Sequence, residues 1–199
     1  MNYPTWFQSL SAKSPKSKWN LSQLFKSNRI TPNYTSKLIS TVALVGSPNV
    51  GKSLLFNGLT GACVKTSNYP ETTVEISQGQ AVIAGRAVTV IDTPGLYSLL
   101  TLTAEERATR DLLITEPVDL VIHVVDAKNL GRRLSLTLQL IEAHFPVILV
   151  VNMIDEAENL GIWIDRKKLE KALGIPVVKI SATLKLGIQE LKAKIATYV

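Results

Sequence analysis

The sequence predicts an α/β fold: a three-layer, doubly wound, mostly parallel sheet of six strands, with helices on both faces and one antiparallel hairpin at its edge. Three observations predict it. Short β-branched apolar runs alternate with helix-patterned stretches from residue 41 onward, the order that builds parallel sheets through helical crossovers. A glycine-containing loop joins the first such run to the first helical stretch. Polar residues suited to holding a ligand recur at the carboxyl ends of later runs, where ligands bind in sheets of this kind.

The first strand is Thr41-Val42-Ala43-Leu44-Val45, and it runs into Gly46-Ser47-Pro48-Asn49-Val50-Gly51-Lys52-Ser53. That octapeptide fits G-x-x-x-x-G-K-[ST] at every fixed position, the pattern of a phosphate-binding loop. An ordinary glycine turn between strand and helix is the competing reading of those eight residues. The helix-like Ser53-Leu54-Leu55-Phe56-Asn57 that follows completes the strand, loop, helix order of a P-loop nucleotide-binding fold. Loop N–H groups and the start of that helix attract phosphate oxygens, so residues 46 to 54 are expected against the phosphates. Lys52 is expected to reach the β- and γ-phosphates and to act in catalysis, and Ser53 to give its hydroxyl to Mg²⁺.

From Ala62 to Glu75 the chain is polar and carries Thr72 and Thr73, two hydroxyls able to supply a magnesium ligand. A hairpin follows: Gln80–Ile83, a turn at residues 84–86, then Ala87–Ile91. It delivers Asp92-Thr93-Pro94-Gly95 to a strand end. An acidic residue there holds Mg²⁺ through water, while Gly95 lets a backbone N–H approach the γ-phosphate.

Residues Ala104–Ile114 are expected as a helix, Val118–Val125 as a buried strand ended by Asp126, and Leu130–His144 as a helix with Leu134, Leu138 and Ile141 on its core face. His123 lies inside an apolar run with no partner at metal-ligand spacing, so it reads as a core histidine. His144 reads as a surface or capping residue. The next strand, Pro146–Val151, ends in Asn152-Met153-Ile154-Asp155. Asp155 can accept both N1–H and N2–H₂ of guanine, a donor pair that adenine lacks, and Asn152 can bond the acceptor edge of the base or tie loops together. A helix at Arg166–Leu173, a strand at Pro176–Ile180, the small Ser181-Ala182-Thr183 and a helix at Ile188–Tyr198 complete the domain. Small residues at 181 and 182 would let a backbone N–H approach guanine O6.

The 199 residues suit one domain, 41–199, preceded by an extension, 1–40. The extension holds six basic and no acidic residues, and the domain holds 16 of each sign. The net +6 therefore belongs to the extension, and no nucleic-acid partner is expected for the domain. The extension reads as a flexible tail, with a short basic amphipathic helix around Trp19 to Lys26 touching an anionic membrane, or a targeting peptide, as the other readings. A single cysteine, Cys63, excludes an intrachain disulfide and fits a reducing compartment. No apolar run approaches the roughly 18 residues a membrane span requires.

With these motifs in order, the domain resembles the translation-factor-related GTPases, and within them most the G domain of the FeoB ferrous-iron transporter family. The phosphate loop, Asn68-Tyr69-Pro70-Glu71-Thr72-Thr73-Val74-Glu75, Pro94-Gly95-Leu96-Tyr97-Ser98-Leu99, Val124-Val125-Asp126-Ala127, Asn152-Met153-Ile154-Asp155 and Gly161-Ile162-Trp163-Ile164-Asp165 carry the resemblance. It implies slow hydrolysis of GTP to GDP as a switch for ferrous-iron uptake, at a cytoplasmic site peripheral to the inner membrane. It implies that Glu71, Thr72 and Thr73 lie at the nucleotide, Thr73 binding Mg²⁺ and the γ-phosphate, and that Met153 lays an apolar side chain on the base. Leu96 stands where other GTPases place a water-orienting glutamine and has no group for that task. By resemblance to potassium-activated relatives, Asn49 would hold K⁺, with carbonyls near Ser67 and Tyr69 completing its cage. Glu71 and Thr93 depart from the family's usual glycine and leucine. Because no membrane domain follows, the reading expects a separate polytopic membrane iron permease as partner. An Era-like GTPase of ribosome or RNA maturation, and a nucleotide-binding module with negligible turnover, are the competing functions.

Overall fold

The computed structural model describes residues 40–61, 64–68 and 74–199. The rest of the extension, Cys63, Tyr69, Glu71, Thr72 and Thr73 lie outside the described residues. The chain order is β1 (Ser40–Val45), α1 (Lys52–Thr60), β2 (Val64–Asn68), β3 (Glu75–Ile83), β4 (Arg86–Asp92), α2 (Ala104–Thr115), β5 (Leu120–Asp126), a 3₁₀ turn (Ala127–Asn129), α3 (Leu130–Glu142), β6 (Val147–Asn152), α4 (Ile154–Asn159), α5 (Arg166–Leu173), β7 (Val177–Lys179) and α6 (Ile188–Ile195).

The sheet has seven strands in the order β2-β3-β4-β1-β5-β6-β7 rather than the expected six. The added strand is β2, exposed at all five positions and antiparallel to β3. Its Val-Lys-Thr-Ser-Asn sequence has no apolar alternation to announce it; main-chain pairing with a long neighbour makes it a strand. That neighbour, β3, starts at Glu75, five residues before the expected hairpin arm, and its alternating burial is that of an antiparallel strand with one covered face. From β4 to β7 all pairings are parallel.

Helices cover both faces. Leu55, Phe56 and Leu59 of α1 and Ile188, Leu191 and Ile195 of α6 pack on one face against Val42, Leu44, Ile122 and Val150. On the other, α2 and α3 bury Leu112, Leu113, Leu136 and Leu140 against Ala43, Val45 and Val121, while α4 and α5 cover Val125, Leu149 and Val151. Strands β5 and β6 are buried almost throughout because both faces are covered, which is why they read as continuous apolar runs.

The core face of α3 differs from the expected stripe. Leu138 is exposed, and Leu130, Leu134, Leu136, Thr137 and Leu140 are buried. The helix packs on the sheet between its neighbours, so its covered arc is set by them rather than by the leucine pattern. It ends at Glu142 because His144 turns left-handed (φ 62°), with the His144 and Phe145 N–H groups bonding back to Ile141 and Leu140, a capping arrangement more often built on glycine. Helix α2 starts in a capping box: Thr103 accepts from the Glu106 N–H at 3.2 Å, and the Glu106 carboxylate accepts the Thr103 N–H at 3.3 Å. The six-residue α4 was not foreseen from the sequence.

Among the described residues, no helix is long and apolar enough to cross a membrane.

Candidate functional site

Register brings the motifs together. β1 pairs Leu44 with Asp92 on one side and Val45 with His123 on the other, and β5 pairs Asp126 with Asn152. The ends of β1, β4, β5 and β6 therefore open on the same edge of the sheet, and the loop 46–51 crosses it.

Lys52, nearly buried, bends back over that loop, its ammonium donating to the carbonyls of Gly46 (3.0 Å) and Ser47 (3.1 Å). Burial lowers its pKa, and the nearby Asp92 carboxylate opposes that shift. Asp92 is its counterpart. Burial raises the carboxyl's pKa, while a hydrogen bond from Ser53 and the charge on Lys52 pull it down. One oxygen, Oδ1, is buried with no partner among the described residues. A buried carboxylate oxygen without a donor is costly, and a hard divalent cation beside the Ser53 hydroxyl is the ligand that such a donor set fits. Among the described residues no three His, Cys, Asp or Glu side chains cluster as a ready metal cage.

Thr93 faces inward: its hydroxyl donates to the Leu44 carbonyl at 2.7 Å, and its N–H bonds the same oxygen at 3.4 Å. It pins the segment to β1 rather than offering a free group to a ligand. Gly95 lies against the phosphate loop so closely that an added Cβ would sit 2.5 Å from Pro48 Cγ. The Leu96 N–H donates to the Gly46 carbonyl at 3.0 Å, and its side chain is wholly buried with Leu99 and Leu112. Leu96 is thus a core residue, in keeping with its lack of any group to orient water. Asn49 is exposed at a left-handed loop position (φ 61°), and Pro48 beside it is exposed too.

At the end of β6 Asn152 is buried. Its Nδ2 donates to the Val50 carbonyl at 2.9 Å, and its Oδ1 accepts the Ala182 N–H at 3.0 Å. Of the two roles open to it, tying loops is the one the structure displays. The expectation for residues 181–182 changes accordingly. Ala182 spends its N–H on Asn152 and Ser181 on the Leu186 carbonyl at 3.2 Å, because the chain folds back at residue 186 to close a small loop with exposed Thr183 near its tip. Met153 is left-handed (φ 60°). That turn, held by the Ile154 N–H on the Ile180 carbonyl (3.2 Å), sets Asp155, half-buried, in the first turn of α4.

The residues that hold the segment after Gly95 are not among the site residues expected from the sequence. Glu106 accepts the N–H groups of Tyr97 (3.3 Å), Leu102 (2.9 Å) and Thr103. Burial would raise its pKa, but these three donors win and hold it below the usual carboxylate range. Gln139 Oε1 accepts the Leu99 N–H at 2.7 Å and the Ser98 hydroxyl at 3.1 Å. The T-x-x-E spacing of Thr103 and Glu106 was a visible signal; Gln139 had none. His123 is buried with Nδ1 2.9 Å from Thr137 Oγ1, and burial, aided by the charges on Lys52 and Arg133, lowers its pKa to about 3.

A family model described as ferrous iron transport protein B matches residues 40–195. The chain belongs to that family. It is 43% identical over 159 residues to the Fe(2+) transporter FeoB of Salmonella typhimurium, covering 78% of this chain and 21% of that protein. The chain thus spans about a fifth of the length of the curated FeoB relatives it matches. Among solved structures it resembles the G domain of the T. maritima FeoB iron transporter (44% identity, TM-score 0.75, 80% of this chain and 98% of that one). The cytosolic domain of the same transporter in its GDP form matches with 44% identity and a TM-score of 0.76, over 80% of this chain and 63% of that one. The fold and the ordered motifs of this chain are those of a FeoB G domain.

Proposed function

We propose that this domain binds GTP and GDP with Mg²⁺ and hydrolyses GTP slowly, as a nucleotide switch for ferrous-iron uptake through a polytopic membrane part outside these residues. The observation that carries the reading is the buried Lys52 ammonium folded onto the Gly46 and Ser47 carbonyls of the phosphate loop, together with Asp92 Oδ1, buried without a partner among the described residues. The GDP form of the T. maritima relative supports guanine as the base.

In this reading the loop N–H groups cradle the phosphates, and Lys52 swings from the Gly46 and Ser47 carbonyls to the β- and γ-oxygens. Ser53, Asp92 and, by family resemblance, Thr73 would hold Mg²⁺, which would supply positive charge to offset that of the phosphates. Asp155 reads the donor edge of guanine. Asn152 keeps the base loop and the phosphate loop in fixed relation, and Met153 covers the base. With Leu96 inside the core, no side chain directly after Gly95 orients the attacking water. By the same resemblance Asn49 would hold K⁺, which would supply part of the missing electrostatic stabilisation. The switch works on the cytoplasmic side of the membrane that holds the iron pathway.

The test is turnover by the purified chain with GTP or ATP, with Mg²⁺ or EDTA, in matched potassium and sodium buffers. GTP-selective, Mg²⁺-dependent turnover is expected, faster in potassium. Equal rates in both salts would remove the potassium role, and tight GTP binding without turnover would make the chain a nucleotide-binding module. Preference for ATP would overturn the reading.

A further inference from the structure

The segment that follows Gly95 is held by side chains from two helices, and one of them reaches it through an aromatic ring. Glu106 and Gln139 take its N–H groups, and Arg110 donates to the Thr101 hydroxyl at 3.2 Å. Arg133, on α3, makes none of these main-chain contacts. Its guanidinium carbon lies 5.0 Å from the centre of the Tyr97 ring, and its Nε is buried with no acceptor among the described residues. The face of that ring is therefore the identified contact of its cationic head, a cation–π pairing. Tyr97 is itself half exposed and stands two residues from Gly95. Between them, Leu96 is anchored twice, by its N–H on Gly46 and by its buried side chain. The ring, Leu96 and Gly95 thus form one short tether. It runs from α3, which is fixed in the core by Leu134, Leu136 and Leu140, to the phosphate loop at Pro48.

We propose that Arg133 is a positioning residue. By stacking on Tyr97 it holds Gly95 against the phosphate loop, where its N–H serves a γ-phosphate, and so it favours the nucleoside triphosphate over the diphosphate. The inference rests on the guanine-nucleotide reading above. A contact can bias one ligand over another only through interactions that differ between the two bound forms, and of the two nucleotides only GTP carries the group that Gly95 would meet. Loss of the stack should therefore weaken triphosphate binding and turnover and spare GDP.

The experiment measures affinities for GDP and for a non-hydrolysable GTP analogue, together with kcat and KM for GTP, in the full chain and in five variants. Arg133→Leu and Tyr97→Leu should each lower analogue affinity and kcat by roughly 2- to 10-fold, the range of a partly exposed cation–π contact, with GDP affinity kept within about twofold. Arg133→Lys and Tyr97→Phe, which keep a cation and a ring face, should stay close to the parent. The double leucine variant should lose no more than either single one, since both remove the same contact. Equal losses for both nucleotides, no loss for either, or failure of Arg133→Lys to retain the preference would overturn the proposal. Should Arg133→Leu fail to fold, Tyr97→Leu, which leaves α3 intact, decides by the same readout. A parent chain that binds neither nucleotide would sink the nucleotide reading itself; a parent that binds both with unaltered variants would sink only the role of Arg133.

Discussion

The side-chain amide of Asn152 fills the space that a Cβ on Gly51 would occupy: the ideal Cβ position lies 2.3 Å from Nδ2. Gly51 is also left-handed (φ 88°), so conformation and contact both call for glycine. With its bonds to the Val50 carbonyl and the Ala182 N–H, the same side chain ties the phosphate loop to the loop at residues 181–186. Asn152→Ala should strand a buried carbonyl at Val50 and a buried N–H at Ala182, costing about 1–3 kcal/mol each at most. Thermal unfolding and GDP titration check this: both the melting temperature and GDP affinity should fall. Unchanged GDP affinity would show that the two loops hold their places independently.

Gly95 and Pro48 make the second close approach. Gly95→Ala would drive its methyl into the proline ring, 2.5 Å from Cγ, and push the segment off the phosphate loop. Hydrolysis should fall by about tenfold or more, because misplacement of a positioning group by an ångström is enough for that, while GDP binding changes little. Pro48→Gly in the same chain should restore part of the rate by removing the obstruction. Absence of any rescue would mean that Gly95 does not act through this contact.

In the proposed function Asp155 reads the base. Asp155→Asn exchanges two acceptors for a donor and an acceptor, so GTP affinity should fall by about tenfold or more and xanthine nucleotide should gain, since an unpaired polar group in the base pocket carries that scale of penalty. Competition between the two nucleotides measures it. Unaltered GTP affinity would remove Asp155 from the base.

His123 predicts an acid-sensitive fold. Its pKa is about 3 in the folded chain, against an ordinary value of 6.5. Between those values the unfolded chain binds a proton that the folded chain refuses. The stabilising contribution of neutral His123 is therefore complete above about pH 6.5 and declines as the pH falls from there toward about 3. Melting temperature followed downward from neutrality should drop, and His123→Asn, which keeps a partner for Thr137 and does not titrate, should show a shallower slope even if it starts less stable. Identical slopes in the two chains would place the acid sensitivity elsewhere.

Much of this was legible in the chain itself. The spacing of Gly46, Gly51, Lys52 and Ser53 between a β-branched run and a helix defines a phosphate loop because local backbone geometry and residue chemistry are enough to build one. Asp92 and Asn152, each closing an apolar run, could be placed at strand ends by the same local reasoning, and the apolar alternation of strands and helices determined the doubly wound sheet. What could not be read depended on contacts between distant segments. Strand β2 exists because β3 offers it a ladder, and its own polar sequence carries no such instruction. The face of α3 that is buried was chosen by α2, α5 and the sheet, which left Leu138 outside and put Thr137 under His123. Whether Asn152 would bond a base or bridge two loops turned on where Val50 and Ala182 come to lie. The hold of Glu106, Gln139 and Arg133 on the segment after Gly95 joins residues with no shared local pattern. Sequence determines what a segment can do alone, through propensity and spacing; only packing decides which of its polar groups are already spent and which remain for a ligand.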